Sequence, residues 1–299
     1  MSSKNIPRIT QLSCERIINI TGNLSEDNFK FNSKFTESID SIIYNISQHE
    51  YSTSYSFLNS RKKALNLIKF ASTYQLKKIY LISTTDIFNI SNKGNHLEEF
   101  NVSIKYVNSN LDFSISTWVS ERLFVQASKQ GIPVTIFRNG ILSIDDNCKF
   151  ETKDNLICTL LENSLKLKIW PKMENELFPS FLPINFATDS IIDIIKKGNI
   201  NGKALHIKNP NEKITFNEIQ KNLTHFVDDL KLLSFDDWMD KISNFDQVLN
   251  INQKFRNYQQ FDSRINFEIF EQNLLTHPQK YSDLISNYFS HLETLEMYD

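Results

Sequence analysis

Glycine is scarce in this chain: 299 residues contain only six, about a third of the usual share of about 7%. A nucleotide-binding loop of the G-x-G-x-x-G type, or a P-loop, needs closely spaced glycines so that backbone amides can approach a phosphate. No two glycines of this sequence have either spacing. The sequence therefore predicts no glycine-rich phosphate loop.

Cysteine and histidine are also few and dispersed. The three cysteines, Cys14, Cys148 and Cys158, form no C-x-x-C pair, and we interpret them as reduced thiols. None of the six histidines lies four residues from another histidine or from a cysteine. The sequence also lacks a G-x-S-x-G motif. We therefore predict neither a metal site nor a hydrolase nucleophile elbow.

No charge of one sign dominates, since 33 Lys and Arg residues face 35 Asp and Glu residues and the net charge is −2. That balance predicts binding neither to nucleic acid nor to an anionic membrane. No apolar run approaches the roughly 20 residues of a membrane-spanning helix, and the first residues do not resemble a signal peptide. We expect a cytoplasmic protein.

Apolar segments of strand length alternate with segments of helical periodicity in the first half of the chain. This alternation predicts a parallel α/β sheet. The predicted strands are 16–20, 39–44, 78–83 and 133–138, and the predicted helices are 57–74 and 118–131.

The second half is predicted to be mostly helical. Its predicted helices are 154–167, 184–197, 215–227, 236–242, 266–275 and 279–297, with a short strand at 204–207. We therefore divide the chain into an N-terminal tail (1–15), a partial Rossmann-like core (16–146) and a helical C-terminal subdomain (147–299).

Eight short blocks, in order along the chain, resemble motifs of the thioester reductase-like family. These extended short-chain dehydrogenases, of the male-sterility NAD-binding type, form the terminal reductase domains of polyketide and nonribosomal peptide synthases. The blocks are Ile20–Leu24, Asp40–Asn45, Asn59 with Ala64–Leu67, Ile79–Thr84, Trp118–Leu123, Arg138–Ile141, Leu182–Ala187 and Ala204–Asn209. Each block alone is weak, but eight in order favour this fold.

The resemblance implies a Rossmann-like parallel sheet that lacks its first two strands. In the family these strands carry G-x-x-G-F-L-G, which holds the cofactor pyrophosphate. A sheet cut at this point would expose a strand edge and apolar surface. The positions that match the family's cofactor-binding residues are Gly22, Asn23, Asn45, Arg138, Asn139 and Gly140, with Asn23 in place of an Asp and Asn139 in place of a Pro.

The family's catalytic trio is a Thr or Ser, a Tyr and a Lys, and it matches Thr84, Phe113 and Thr117. In the family the Tyr donates a proton and the Lys lowers the pKa of that Tyr and binds the ribose. A phenyl ring has no proton to donate, and a Thr hydroxyl carries no positive charge. Of the trio, only Thr84 is retained. We expect the neighbouring Glu121 and Arg122 to be exposed or ion-paired.

Three interpretations stay open. The one we favour is a degenerate, inactive thioester reductase-like domain, the remnant of a polyketide synthase-like protein, with no cofactor. The second is a non-catalytic interaction module for an acyl carrier protein or synthase subunit. The third is an active reductase of carrier-bound or CoA-bound acyl thioesters, which would use NADP(H). None of the three involves nucleic acid, a membrane or a metal.

Overall fold

The structure is a computed structural model. It describes residues 22–26, 29, 39–46, 56–75, 78–88, 99–108, 112–143, 156–173, 176, 178, 181–211, 214–246 and 280–294. The predicted strand at 16–20 and the predicted helix at 266–275 lie outside these residues.

Four parallel strands form the central sheet, as the sequence predicts. They are β1 (Ser41–Asn45), β2 (Lys78–Thr84), β3 (Val134–Asn139) and β7 (Lys203–Ile207), in the spatial order β1-β2-β3-β7. All six residues of β3 are buried, as is usual for a central strand with both faces covered. The register places Thr84 beside Asn139, and Asn139 beside Ile207.

Two helices, α1 (Ser56–Thr73) and α2 (Asp112–Lys129), pack against one face of the sheet. Helix α2 begins six residues before the predicted start at 118. Its first turns are rich in Ser and Thr, so apolar periodicity does not detect them. In the structure Ser114, Ser116 and Thr117 are nevertheless fully buried.

Helix α4 (Ile184–Lys197) covers the opposite face, where Phe186 and Ile191 pack against Phe137 of β3. The helix ends at Gly198, as predicted. Gly198 has a φ of +70°, and its backbone N–H donates to the carbonyl of Ile194. Helix α4 and β7 therefore return the chain to the sheet after residue 146, while the predicted domain limits stay a prediction.

The second half of the chain, apart from α4 and β7, forms a separate aromatic core around Trp170 and Trp238, both fully buried. Its helices are α3 (Leu156–Leu167), α5 (Phe216–Leu223), α6 (Phe235–Asp246) and α7 (Tyr281–Thr294). Four three-residue strands, β4 (Ile141–Ser143), β5 (Ile169–Pro171), β6 (Phe181–Pro183) and β8 (Lys231–Leu233), form the parallel pairs β4–β6 and β5–β8. The sequence interpretation predicted fewer strands because three residues are too short to show a strand periodicity.

Strand β1 lies at the end of the sheet in the described part of the chain. Tyr44, and Ile46 directly after the strand, are buried in the core beneath α1 and α2, whereas Ile43, on the other face, is 61% exposed. No helix in the described residues is long and apolar enough to cross a membrane.

Candidate functional site

The site lies at the carboxyl ends of the parallel strands, where ligands bind in open α/β sheets. Thr84 ends β2 and Asn139 ends β3, and the two residues are neighbours in the sheet register. Asn45 ends β1, beside Ile82. The sheet therefore brings three of the predicted site residues together at the carboxyl ends of its strands.

One stripe of side chains on helix α2 faces the carboxyl ends of the strands. Ser114, Thr117 and Glu121 share that stripe because three and four residues separate them. Ser114 Oγ donates to the backbone carbonyl of Asp86 at 2.5 Å, and Glu121 accepts from Ser83 Oγ at 2.6 Å. Thr117 is therefore held between two anchored turns, over the end of β2.

Phe113 and Thr117, which are predicted to match the family's Tyr and Lys, offer no proton relay. Phe113 is half-buried, and Thr117 lies one turn further along α2. The side chain of Thr117 is fully buried, and its hydroxyl has no hydrogen-bond partner in the described structure. Burying a hydroxyl without a partner costs on the order of 1–3 kcal/mol. This turn of α2 therefore carries a polar group but no cation.

A buried ion pair joins α2 to the centre of the sheet. Arg138 is fully buried and Glu121 is 2% exposed. The guanidinium donates from Nε to Glu121 Oε1 at 3.0 Å and from Nη2 to Oε2 at 2.9 Å. This bidentate geometry is the strongest form of an Arg–carboxylate pair. Glu121 is thus ion-paired, one of the two outcomes expected from the sequence.

The remaining contacts of Arg138 use most of its guanidinium donors. Nη1 donates to the backbone carbonyl of Glu99 at 3.0 Å and lies 3.4 Å from Nε2 of His206. Because a guanidinium can only donate, Nε2 must accept, which places the proton of a neutral imidazole on Nδ1. The ring of Phe88 lies 5.4 Å from the guanidinium carbon. Arg138 therefore has little capacity left for a ligand, and its role as a cofactor residue stays a prediction.

Thr84 has a structural contact of its own. Its hydroxyl accepts from the backbone N–H of Asp86 at 3.2 Å and caps a short 3₁₀ turn, Thr85–Ile87. The next residue, Thr85, donates through Oγ1 to the backbone carbonyl of Asn139 at 3.3 Å. The Asn139 side-chain oxygen is buried without a hydrogen-bond partner in the described structure.

The other predicted cofactor positions lie apart from these contacts. Asn23 and Gly22 are exposed, and Asn23 stabilises its own turn by accepting from the backbone N–H of Ser25 at 2.9 Å. Asn45 is exposed at the end of β1. Gly140 donates its backbone N–H to the carbonyl of Ile207, and a methyl group added there would meet that oxygen at 3.8 Å, an ordinary contact.

The described residues do not fit a nicotinamide dinucleotide well. A pyrophosphate is held by backbone amides of a glycine turn at a helix N-terminus. The six glycines of this sequence have no such spacing. The family position of the Lys that would bind a ribose is predicted to hold Thr117, whose hydroxyl carries no positive charge. No group of three or more metal-binding side chains occurs among the described residues either.

An NAD-binding family model described as "Male sterility protein" matches residues 2–191. The match covers more than half of the chain. The chain belongs to this family. Its members are NAD(P)H-dependent reductases, and the resemblance to thioester reductase-like domains is confirmed.

Similar proteins are synthase reductase domains. A nonribosomal peptide synthetase, asaC of Aspergillus flavus, is 26% identical over 196 residues, which are 62% of this chain and 19% of that protein. The chain spans about a fifth of the length of the curated relatives first matched.

Two solved structures share the fold. The terminal R domain of the myxalamid PKS-NRPS pathway has a TM-score of 0.74 at 18% identity, over 93% of this chain and 75% of that one. A thiolation-reductase di-domain from an archaeal non-ribosomal peptide synthetase has a TM-score of 0.73 at 18% identity, over 95% and 63%. At such identities the likeness concerns the fold alone.

Sequence reasoning missed the partners that fix the site. Ser83, His206 and the backbone of Glu99 were not among the predicted residues, although each contacts the Glu121–Arg138 pair. A signal was present, since Arg138 ends an otherwise apolar strand segment. A cation within a buried strand requires an anionic partner, and Glu121 lies in the preceding helix.

Proposed function

We propose that this chain is a thioester reductase-like domain that does not catalyse hydride transfer, a pseudoenzyme that keeps the family's scaffold. The observation that carries this proposal is the stripe of α2 on which Phe113 and Thr117 occupy the positions of the proton donor and its cation. General acid–base catalysis contributes typically about 10²–10⁴-fold. Both groups that would supply it are absent here, together with the ribose contact.

The buried Glu121–Arg138 pair supports the part of the proposal that concerns the scaffold. It fixes α2 against β2 and β3 through hydrogen bonds to the Glu121 carboxylate. The fold therefore keeps its internal support while the reactive positions are neutral. A domain of this kind serves as a surface for a synthase or carrier partner rather than as a reductase.

The first test is a titration of the purified chain with NADPH and with NADH, up to millimolar cofactor, in which binding is measured by fluorescence or calorimetry. We expect no binding tighter than about 100 μM, which corresponds to roughly −5.5 kcal/mol. Tighter binding would refute the proposal and favour the alternative, an NADP(H)-dependent reductase of acyl thioesters.

A double variant tests whether the proton relay alone is missing or the cofactor affinity as well. The change Phe113→Tyr with Thr117→Lys restores both family side chains on α2. We expect it to give no NADPH oxidation with an acyl thioester, because no glycine turn of this chain holds the pyrophosphate. Turnover by the variant alone would mean that the relay was the one missing part, and turnover by the unmodified chain would refute the proposal outright.

A further inference from the structure

Helix α1 carries a local excess of positive charge. It contains four cationic residues, Arg61, Lys62, Lys63 and Lys69, and no acidic residue. The chain as a whole has a net charge of −2. The positive charge of α1 is therefore a property of this face of the molecule.

One stripe of α1 combines these charges with apolar side chains. Leu58, Lys62, Leu65 and Lys69 follow one another at spacings of four, three and four residues, so they lie on one side of the helix. All four are exposed, and the two leucines are 58% and 42% exposed. The stripe extends for about 16 Å at 1.5 Å per residue. We call these four residues the α1 stripe.

The α1 stripe takes no part in the hydrophobic core. Helix α1 packs inward through Ala64, Leu67 and Ala71, which are buried. The α1 stripe is offset from this buried stripe by two residues, about 200° around the helix at 3.6 residues per turn. Leu58 and Leu65 therefore face away from the sheet and belong to no hydrophobic cluster of the described residues.

Three of the four cations of α1 have no anionic partner among the described residues. Arg61, Lys62 and Lys69 form no ion pair with any described acidic side chain. The neighbouring helix α2 adds an exposed Lys129, while its Glu121 is buried against Arg138. No described carboxylate therefore competes with a partner of opposite charge for Lys62 and Lys69.

We propose that the α1 stripe is a docking surface for an acidic amphipathic helix of a protein partner. This inference rests on the proposed function as a non-catalytic partner-binding domain. Lys62 and Lys69 are about 10 Å apart along the helix axis, which matches carboxylates seven residues apart on a facing helix. Leu58 and Leu65 would pack against apolar residues between those carboxylates. Charge complementarity of this kind sets the rate of association and the choice of partner.

Two other occupants fit less well. A second copy would bring identical Lys side chains together, since a two-fold interface pairs a surface with itself. A lipid surface would require a broad apolar face, as in interfacial helices, whereas the α1 stripe offers two leucines, each between or beside cations. A protein helix with acidic and apolar residues satisfies both components.

The test uses the full chain and a labelled helical peptide that carries Glu and Leu alternately at the spacing of the α1 stripe. Binding is followed by fluorescence anisotropy at about 50 mM NaCl and again at about 500 mM, where the screening length falls to a few ångströms. We expect binding that weakens with salt. The variant Lys62→Glu with Lys69→Glu should bind at least about ten-fold more weakly, and Leu58→Gln with Leu65→Gln should also weaken binding.

The matched control is Lys196→Glu with Lys241→Glu, which makes the same change in net charge at exposed helical positions elsewhere. It should bind the peptide as the unmodified chain does. An equal loss in the control, or no loss in Lys62→Glu with Lys69→Glu, would overturn the proposal.

Three parallel measurements separate the other outcomes. If phosphatidylserine vesicles bind the chain through Lys62 and Lys69 and the peptide does not, the surface serves a lipid and the proposal is wrong. If sedimentation shows a dimer that Lys62→Glu with Lys69→Glu dissociates, the occupant is a second copy and the proposal is equally wrong. NADPH titration of the same proteins tests the proposed function separately, because the α1 stripe faces away from the sheet.

Discussion

The Glu121–Arg138 pair allows the most demanding test of the structure. Both side chains are almost completely buried, and three hydrogen bonds of 2.9 to 3.3 Å join them. Removing one partner of such a pair leaves an uncompensated buried charge, which typically costs about 3–5 kcal/mol. We therefore expect Glu121→Leu and Arg138→Met each to lower the free energy of unfolding by about this amount.

The double variant distinguishes a coupled pair from two independent contributions. Replacing a whole buried ion pair by apolar residues of similar size is often close to neutral. Here Arg138 also loses its bonds to the Glu99 carbonyl and to His206, at about 1 kcal/mol each. We expect the double variant to lose about 2–4 kcal/mol, well below the sum of the single changes.

Urea unfolding followed by circular dichroism and tryptophan fluorescence measures the whole cycle. The change Glu121→Gln is a useful conservative member, because it keeps an acceptor for Ser83 and Arg138 but removes the charge. A double variant whose loss equals the sum of the single losses would show no coupling, and the buried pair as described would then be incorrect.

Three further predictions concern residues outside the site. Gly198→Ala should cost about 1–3 kcal/mol, because its φ of +70° with a ψ of −165° lies in a region that is essentially restricted to glycine, whereas Gly140→Ala should be nearly neutral; thermal melts of the two variants compare them directly. Glu218 accepts from the backbone N–H and the hydroxyl of Thr215, which lowers its pKa below the ordinary value of 4.5. Its stabilising contribution should be complete above that value and disappear as the pH falls through the lowered pKa, so Glu218→Gln should differ from the unmodified chain at pH 7 but not near pH 2. Trp238→Ala should cost about 3–5 kcal/mol in urea unfolding, since the ring is fully buried in the second core.

The strands and most helices could be predicted because their apolar residues follow a simple period. β3 is apolar up to Arg138 except at Thr135, and α4 matches its predicted limits of 184 and 197. The first turns of α2 could not be predicted in this way, because Ser114 and Thr117 are polar and yet buried. Their burial depends on the 3₁₀ turn after β2, a tertiary contact that no local pattern shows.

The candidate site could be located from motif order but not understood from it. Thr84 and Asn139 are 55 residues apart in the printed sequence, and the parallel register makes them neighbours. The contacts of the Glu121–Arg138 pair are harder still to predict from the sequence, since Ser83 and His206 reach this buried pair from two other elements, β2 and β7. Hydrogen bonds between side chains of distant segments leave no periodic trace in the sequence.

If Phe113 and Thr117 match the family's Tyr and Lys, as we propose, helix α2 carries both the support of the fold and the positions of the reaction, so fold and activity can separate. Glu121 anchors α2 to two strands, so its loss would cost several kcal/mol of a total stability of about 5–15 kcal/mol. The hydroxyl of Thr117, one turn away, has no hydrogen-bond partner in the described structure, so the fold does not depend on a hydrogen bond from this group. A chain can therefore retain the blocks that identify its family while losing the side chains that give the family its reaction. Family membership consequently says little about turnover by this chain, and the cofactor titration is the measurement that decides it.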